Sequence, residues 1–143
     1  MKERQVIVSR GRYDRQEMKP TILVVDDDPS VRRMLSELLS IAGYDVLSAA
    51  SLDEGKRLAD TGNPDLLLID VRLGDYNGLQ LAVRERANHP GRPVIVMTGH
   101  SDPVLEAEAR RLGAEFVEKP LHPARLIEII SRMMPARTNG DTR

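Results

Sequence analysis

Apolar residues gather in five short runs along the chain, at 21–25, 45–49, 66–69, 94–97 and 115–117. Each has the length of a strand. The most apolar of them show no alternation of polar and apolar positions, the pattern of strands buried on both faces. The segments between are of helical length and period. In 29–42, Val31, Leu35, Leu38, Leu39 and Ala42 share one face, and Met34 and Ile41 broaden it. Leu126, Ile127, Ile129, Ile130, Met133 and Met134 give the last segment a similar face. Both faces are expected to pack on the sheet as core, and they leave dimerisation open. Helix starts are marked by Asp28-Pro29, Asp102-Pro103 and the capping-box pair Ser51 and Glu54. Gly43, Gly62 and Gly113 stand where helices should end.

Strand and helix therefore alternate five times, which predicts an α/β fold with a parallel sheet covered by helices on both sides. Right-handed crossovers leave few topologies. The expected one is flavodoxin-like: a doubly wound, five-stranded parallel sheet of order 2-1-3-4-5. Winding reverses between the first and third strands, and ligands bind at the carboxyl ends of strands beside such a switch point.

At 143 residues, with 41% hydrophobic and 30% charged, the chain suits one domain. That domain is expected over 20–134, with a mobile N-terminal extension at 1–19 that stability does not need and a polar tail at 135–143. Cysteine is absent, which excludes disulfides and Cys-type zinc sites. Apolar runs are too short for a membrane span, and the opening residues lack a signal-peptide core, so a cytoplasmic location is predicted. Residues 1–19 carry six basic and three acidic side chains, and 20–134 carry thirteen and eighteen. An acidic body of net −5 has no basic stripe for direct DNA binding.

The strand ends carry the chemistry. The first ends at Asp26 and Asp27, the third at Asp70, the fourth at Thr98, and the fifth leads into Lys119-Pro120. Taken singly, an aspartate after a strand is usually a turn or cap residue, and Asp28 fits that reading before Pro29. Jointly, three carboxylates, a hydroxyl and an ammonium are predicted to converge on one crevice. Clustered carboxylates repel and need a cation or proton. An all-oxygen donor set suits Mg²⁺. His89, His100 and His122 are scattered and are expected on the surface or in loops.

These residues stand in segments that resemble response-regulator receivers of two-component signalling. The resemblance lies in Thr21-Ile22-Leu23-Val24-Val25-Asp26-Asp27-Asp28-Pro29 with Arg32, and in Asp70 after Leu66-Leu67-Leu68-Ile69 with Gly78-Leu79 beyond. It continues in Val94-Ile95-Val96-Met97-Thr98-Gly99 and in Gly113-Ala114-Glu115-Phe116-Val117-Glu118-Lys119-Pro120. The match runs from about Pro20 to Met134. It implies that Asp70 takes a phosphoryl group from a histidine kinase or histidine phosphotransfer protein. It implies that Asp27, Asp70 and the Arg72 carbonyl bind Mg²⁺, with Asp26 acting through water. Lys119 would pair with a phosphoryl oxygen. Thr98 would hydrogen-bond another, and Phe116 would change rotamer with it, switching a 103–134 surface for a downstream protein. A cis Lys119-Pro120 peptide is also implied. Gly74 stands where the family often has proline, and Asn77 where it often has aspartate. Arg72 and His100 occupy variable positions that tune phosphate lifetime in the family.

Three other readings compete. Asp26-Asp27-Asp28 satisfies the nucleophile motif of haloacid-dehalogenase-like phosphohydrolases, but that reading needs an acidic pair beyond its lysine and leaves Asp70 unexplained. A pseudo-receiver that docks without phosphorylation is disfavoured because all five key positions are intact. A piece of a longer protein such as a hybrid kinase is the third. The expected role is that of a phosphoacceptor whose own chemistry is limited to self-phosphorylation from a donor and slow self-dephosphorylation, and not a true enzyme.

Overall fold

A computed structural model describes residues 18–99 and 102–134 of the chain. The expectations placed on residues 1–17, on His100 and on residues 135–143 lie outside them. The elements run β1 (Thr21–Val25), α1 (Pro29–Ile41), β2 (Asp45–Ala49), α2 (Leu52–Thr61), β3 (Leu66–Asp70), β4 (Arg72–Leu73), β5 (Tyr76–Asn77), α3 (Leu79–Asn88), β6 (Val94–Thr98), α4 (Pro103–Arg111), β7 (Glu115–Glu118) and α5 (Pro123–Met133). The main sheet is parallel throughout, in the order β2-β1-β3-β6-β7. With β6 and β7 as the fourth and fifth long strands, this is the expected 2-1-3-4-5 order, with winding reversed between β1 and β3.

One element was not foreseen. After β3 the chain makes a small antiparallel hairpin, pairing Arg72 with Asn77 and Leu73 with Tyr76. Gly74 takes the first loop position at φ +62°, the left-handed setting that a two-residue hairpin asks of glycine there.

Alternate residues of the central strands feed two cores. Leu23, Val25, Leu67, Ile69 and Val96 pack with Leu52 and Ala59 of α2, Leu81 and Ala82 of α3 and Ala109 of α4. Ile22, Val24, Leu66, Leu68, Ile95 and Met97 pack with Leu35 and Leu39 of α1 and Leu126, Ile129 and Ile130 of α5. Every residue of β3 and β6 is buried, so their ends are held without slack.

The broad core face expected of α1 is narrower. Leu35 and Leu39 are fully buried, but Met34 and Ala42 are exposed and Ile41 is 86% exposed. Two residues beyond Leu39, Ile41 is turned about 200° around the helix, away from the sheet. On α5 the expected face does pack, with Ile127, Met133 and Met134 partly buried at its margin.

The caps form as their residue types dictate. Asp28 accepts the Ser30 N–H (2.9 Å), and Asp102 accepts those of Val104 and Leu105. Ser51 Oγ accepts the Glu54 N–H at 3.2 Å. Glu54 reaches back one residue further than the usual capping box, to the Ala50 N–H at 2.8 Å. Asn77 Oδ1 accepts the Leu79 N–H at 2.8 Å, which links the end of β5 to the first residue of α3.

Candidate functional site

At the carboxyl ends of the strands, four side chains from three strands meet. Asp26 leaves β1 with its N–H donated to the Ala49 carbonyl of β2, and it is fully buried. Its Oδ1 accepts the Asp28 N–H at 2.9 Å, and its Oδ2 lies 3.2 Å from Lys119 Nζ. Arg32 of α1 donates to the Asp26 carbonyl at 2.7 Å, which ties the first helix to this turn. Asp27, one residue on, is exposed, and its Oδ2 accepts the Gly74 N–H at 2.9 Å.

Asp70 ends β3 and is buried. Its Oδ2 stands 3.3 Å from Lys119 Nζ, and its Oδ1 accepts the Arg72 N–H at 3.3 Å. Lys119 reaches both carboxylates because its own N–H is donated to the Thr98 carbonyl at 2.7 Å and β7 ends just before it. The Lys119–Pro120 peptide is cis. Carboxylate oxygens of Asp26, Asp27 and Asp70 all lie within 4.8 Å of one another.

Burial raises the Asp70 pKa above the ordinary carboxylate value, and the Asp26 charge adds to this against the opposing pull of Lys119. For Lys119, burial works against the charged form, but the Asp26 and Asp70 charges outweigh it and raise its pKa. Three carboxylates and one ammonium leave two negative charges in excess when all are ionised. All-oxygen donors with that excess suit a divalent, hard cation, and Mg²⁺ fits them.

The predicted residues do not all enter equally. Asp26, Asp27, Asp70 and Lys119 form the cluster. Arg72 enters through its N–H to Asp70. Thr98, buried at the end of β6, is joined to Lys119 through its backbone carbonyl. Phe116 lies further off on β7, in register with Val96, half-buried against the core beneath α4. His89, expected on the surface, closes the end of α3, with Nε2 buried 3.6 Å from Asp60 Oδ1.

Two residues have roles that their place in a motif did not reveal. A Cβ on Gly78 would collide with the Asp70 carbonyl, because the chain returns tightly against β3 to close the hairpin. Gly74 donates to Asp27. Beside the cluster, a cleft of about 190 Å³ is lined by Asp27, Asp53 and Tyr76, among others.

The family model for the response regulator receiver domain matches residues 22–131. The chain belongs to the response regulator receiver family. This receiver is 34% identical over 121 residues to the C4-dicarboxylate transport transcriptional regulatory protein DctD of Pseudomonas aeruginosa, covering 81% of this chain and 25% of that protein. It is 37% identical over 116 residues to the transcriptional regulatory protein AruR of the same organism, covering 77% and 47%. The chain thus spans between a quarter and about half the length of these curated relatives. Among solved structures, a CheY-like receiver domain protein from Methanospirillum hungatei superposes with a TM-score of 0.79 at 28% identity, covering 84% of this chain and 97% of that one. Membership places the receiver in two-component signalling, where an aspartate cluster that binds Mg²⁺ and accepts phosphate is typical.

Proposed function

We propose that Asp70 is the phosphoacceptor and that Lys119, Thr98 and the acidic cluster serve it. The observation that carries this is the pairing of the Asp70 carboxylate with Lys119 beside two further carboxylates. A carboxylate oxygen of Asp70 attacks phosphorus of a phosphohistidine on a histidine kinase or phosphotransfer protein. The P–O bond forms as the P–N bond breaks, and the departing imidazole takes a proton. Lys119, already against Asp70 Oδ2, is placed to hold a phosphoryl oxygen as charge shifts onto it. Phosphoryl transfer gains most from such positioning and charge stabilisation. Asp27, Asp70 and the Arg72 carbonyl would hold Mg²⁺, which supplies neutralising charge when bound. Asp26, with both carboxylate oxygens engaged, would act on the ion through water.

Phosphorylation adds roughly one to two negative charges and three acceptor oxygens. Thr98 would draw toward one of those oxygens, and Phe116 would turn inward behind it. The 103–134 surface would change shape for a downstream protein that prefers one form. A partner protein, and not DNA, is the proposed target of this acidic body, and the proposed location is cytoplasmic. Among the described residues no helix is long and apolar enough to cross a membrane. Catalysis on free substrates is not part of this reading. The phosphohydrolase alternative would need Asp26 as nucleophile, and that carboxylate is fully buried with both oxygens engaged.

The test is labelling by acetyl phosphate or a phosphohistidine donor with and without Mg²⁺. Label should appear only with Mg²⁺ and vanish in Asp70→Asn. Normal labelling of Asp70→Asn together with loss in Asp27→Asn would overturn the assignment. Spread of the signal is tested by NMR with beryllofluoride: shifts should run from Asp70 through Thr98 to Phe116 and α5. In Thr98→Ala they should stop near the site.

A further inference from the structure

We propose that Gly74 is a positioning residue for Asp27: its backbone N–H fixes the Asp27 carboxylate so that one oxygen remains for a metal ion. The inference rests on the reading of Asp27 as a direct Mg²⁺ ligand and deepens it.

Asp27 needs such a partner. It is exposed, in the turn before α1, where packing does little to hold its rotamer. The Gly74 N–H, 2.9 Å from Oδ2, is the hydrogen bond that restrains it. Oδ1 accepts none among the described residues. The donor itself is well anchored. Gly74 sits at the turn of the β4–β5 hairpin, Leu73 is buried, and the base is closed by the Gly78 N–H on the Val71 carbonyl. The same hairpin gives the Arg72 N–H to Asp70. Two N–H groups two residues apart thus each hold one carboxylate of the cluster.

The residue type follows from the backbone. A Cβ at position 74 would meet nothing within 4 Å, so glycine is not there for space. Its φ of +62° is the constraint, a setting that glycine adopts freely and other residues reach only with strain. Proline would fail twice: it has no N–H to donate, and its ring fixes φ near −65°. A chain with proline here would have to hold its Asp27 equivalent by other means.

Mg²⁺ affinity, read from amide shifts or calorimetry without any phosphodonor, tests this. Gly74→Pro should weaken binding by roughly ten- to a hundredfold, the usual effect of removing a group that orients a ligand. Gly74→Asn keeps the N–H at some cost in backbone strain, and should bind much closer to native affinity than Gly74→Pro does. Asp27→Ala should lose binding. If Asp27→Ala binds normally, the ligand reading itself is wrong. If it loses binding while Gly74→Pro keeps native affinity, the inference about Gly74 alone is overturned. Equal losses in Gly74→Asn and Gly74→Pro also overturn it, because the N–H is then not the cause. Should Gly74→Pro fail to fold, amide exchange at Gly74 decides. Faster exchange in Asp27→Ala than in the native chain supports the bond, and unchanged exchange overturns it.

Discussion

The two ends of the sheet both bury charge, and they do so differently. Where the strands begin, Glu85 of α3 is fully buried against Arg92, with NH1 of Arg92 3.0 Å from Oε1 and 2.9 Å from the Ala59 carbonyl. One carboxylate meets one guanidinium, and the charges cancel. Where the strands end, one ammonium faces three carboxylates. Buried charge alone therefore does not distinguish the end of this receiver that carries the proposed phosphoacceptor. The difference lies in the imbalance, because unmatched carboxylates favour a bound cation. A charge-matched pair calls for no further ion.

The sharpest break of this comparison is Arg92→Met. It strands Glu85 in the interior, where Oε2 already lacks a hydrogen-bond partner among the described residues. A loss of about 3–5 kcal/mol is expected from breaking one half of such a pair. Chemical denaturation reads it, and Mg²⁺ should restore none of it. Replacing both Glu85 and Arg92 by apolar residues should recover most of the loss.

Lys119→Met should cost less, about 1–3 kcal/mol, since part of the cluster faces water. Here the loss should shrink when millimolar Mg²⁺ is added, as a cation again offsets the carboxylates. Equal losses with and without Mg²⁺ would erase the distinction between the two ends.

The smallest effect has the opposite sign. The Asp70 pKa is raised by folding, so its protonated form favours the native state. That contribution is complete below the ordinary value of 3.8 and is lost as pH rises through the raised folded value. Once ionised, Asp70 weighs against the metal-free fold. Asp70→Asn should therefore raise the metal-free melting temperature at neutral pH, by a few degrees at most. The gain should fade toward acid pH. A calorimetric pH series checks both sign and trend.

Much of this was legible from sequence because it is local. Asp28 and Asp102 cap the helices they precede, and the strand order follows from alternation and handedness. The hairpin was not legible. Its strands have two residues each, too short for any periodicity, and only the Gly74-Asp75 pair between Leu73 and Tyr76 hinted at a turn. The α1 face was misjudged because apolar residue type was read without the helical angle, and Ile41 points to water. The Glu85–Arg92 pair was also missed, although a signal exists. Leu79, Ala82 and Glu85 recur every three residues, which puts a carboxylate in line with core positions, and such a residue calls for a buried cation. The cluster of Asp26, Asp27, Asp70 and Lys119 was readable because each stands at a strand end. The backbone donors that orient it were not, since an N–H carries no letter in the sequence.

Tyr76 lends the molecule a property of another kind. The chain has no tryptophan and three tyrosines. Tyr44 lies at the other side of the sheet, with its hydroxyl 3.5 Å from Ser131 Oγ, whereas Tyr76 is 61% exposed on the hairpin and shares a cleft with Asp27. With no indole to mask it, phenol emission is a built-in optical probe of the acidic cluster. A luminescent lanthanide seated on Asp27 would draw its excitation from Tyr76. Occupancy of the site could then be followed by light in the native chain, free of any attached dye, and Tyr76→Phe would measure this side chain's share of the signal while leaving every carboxylate in place.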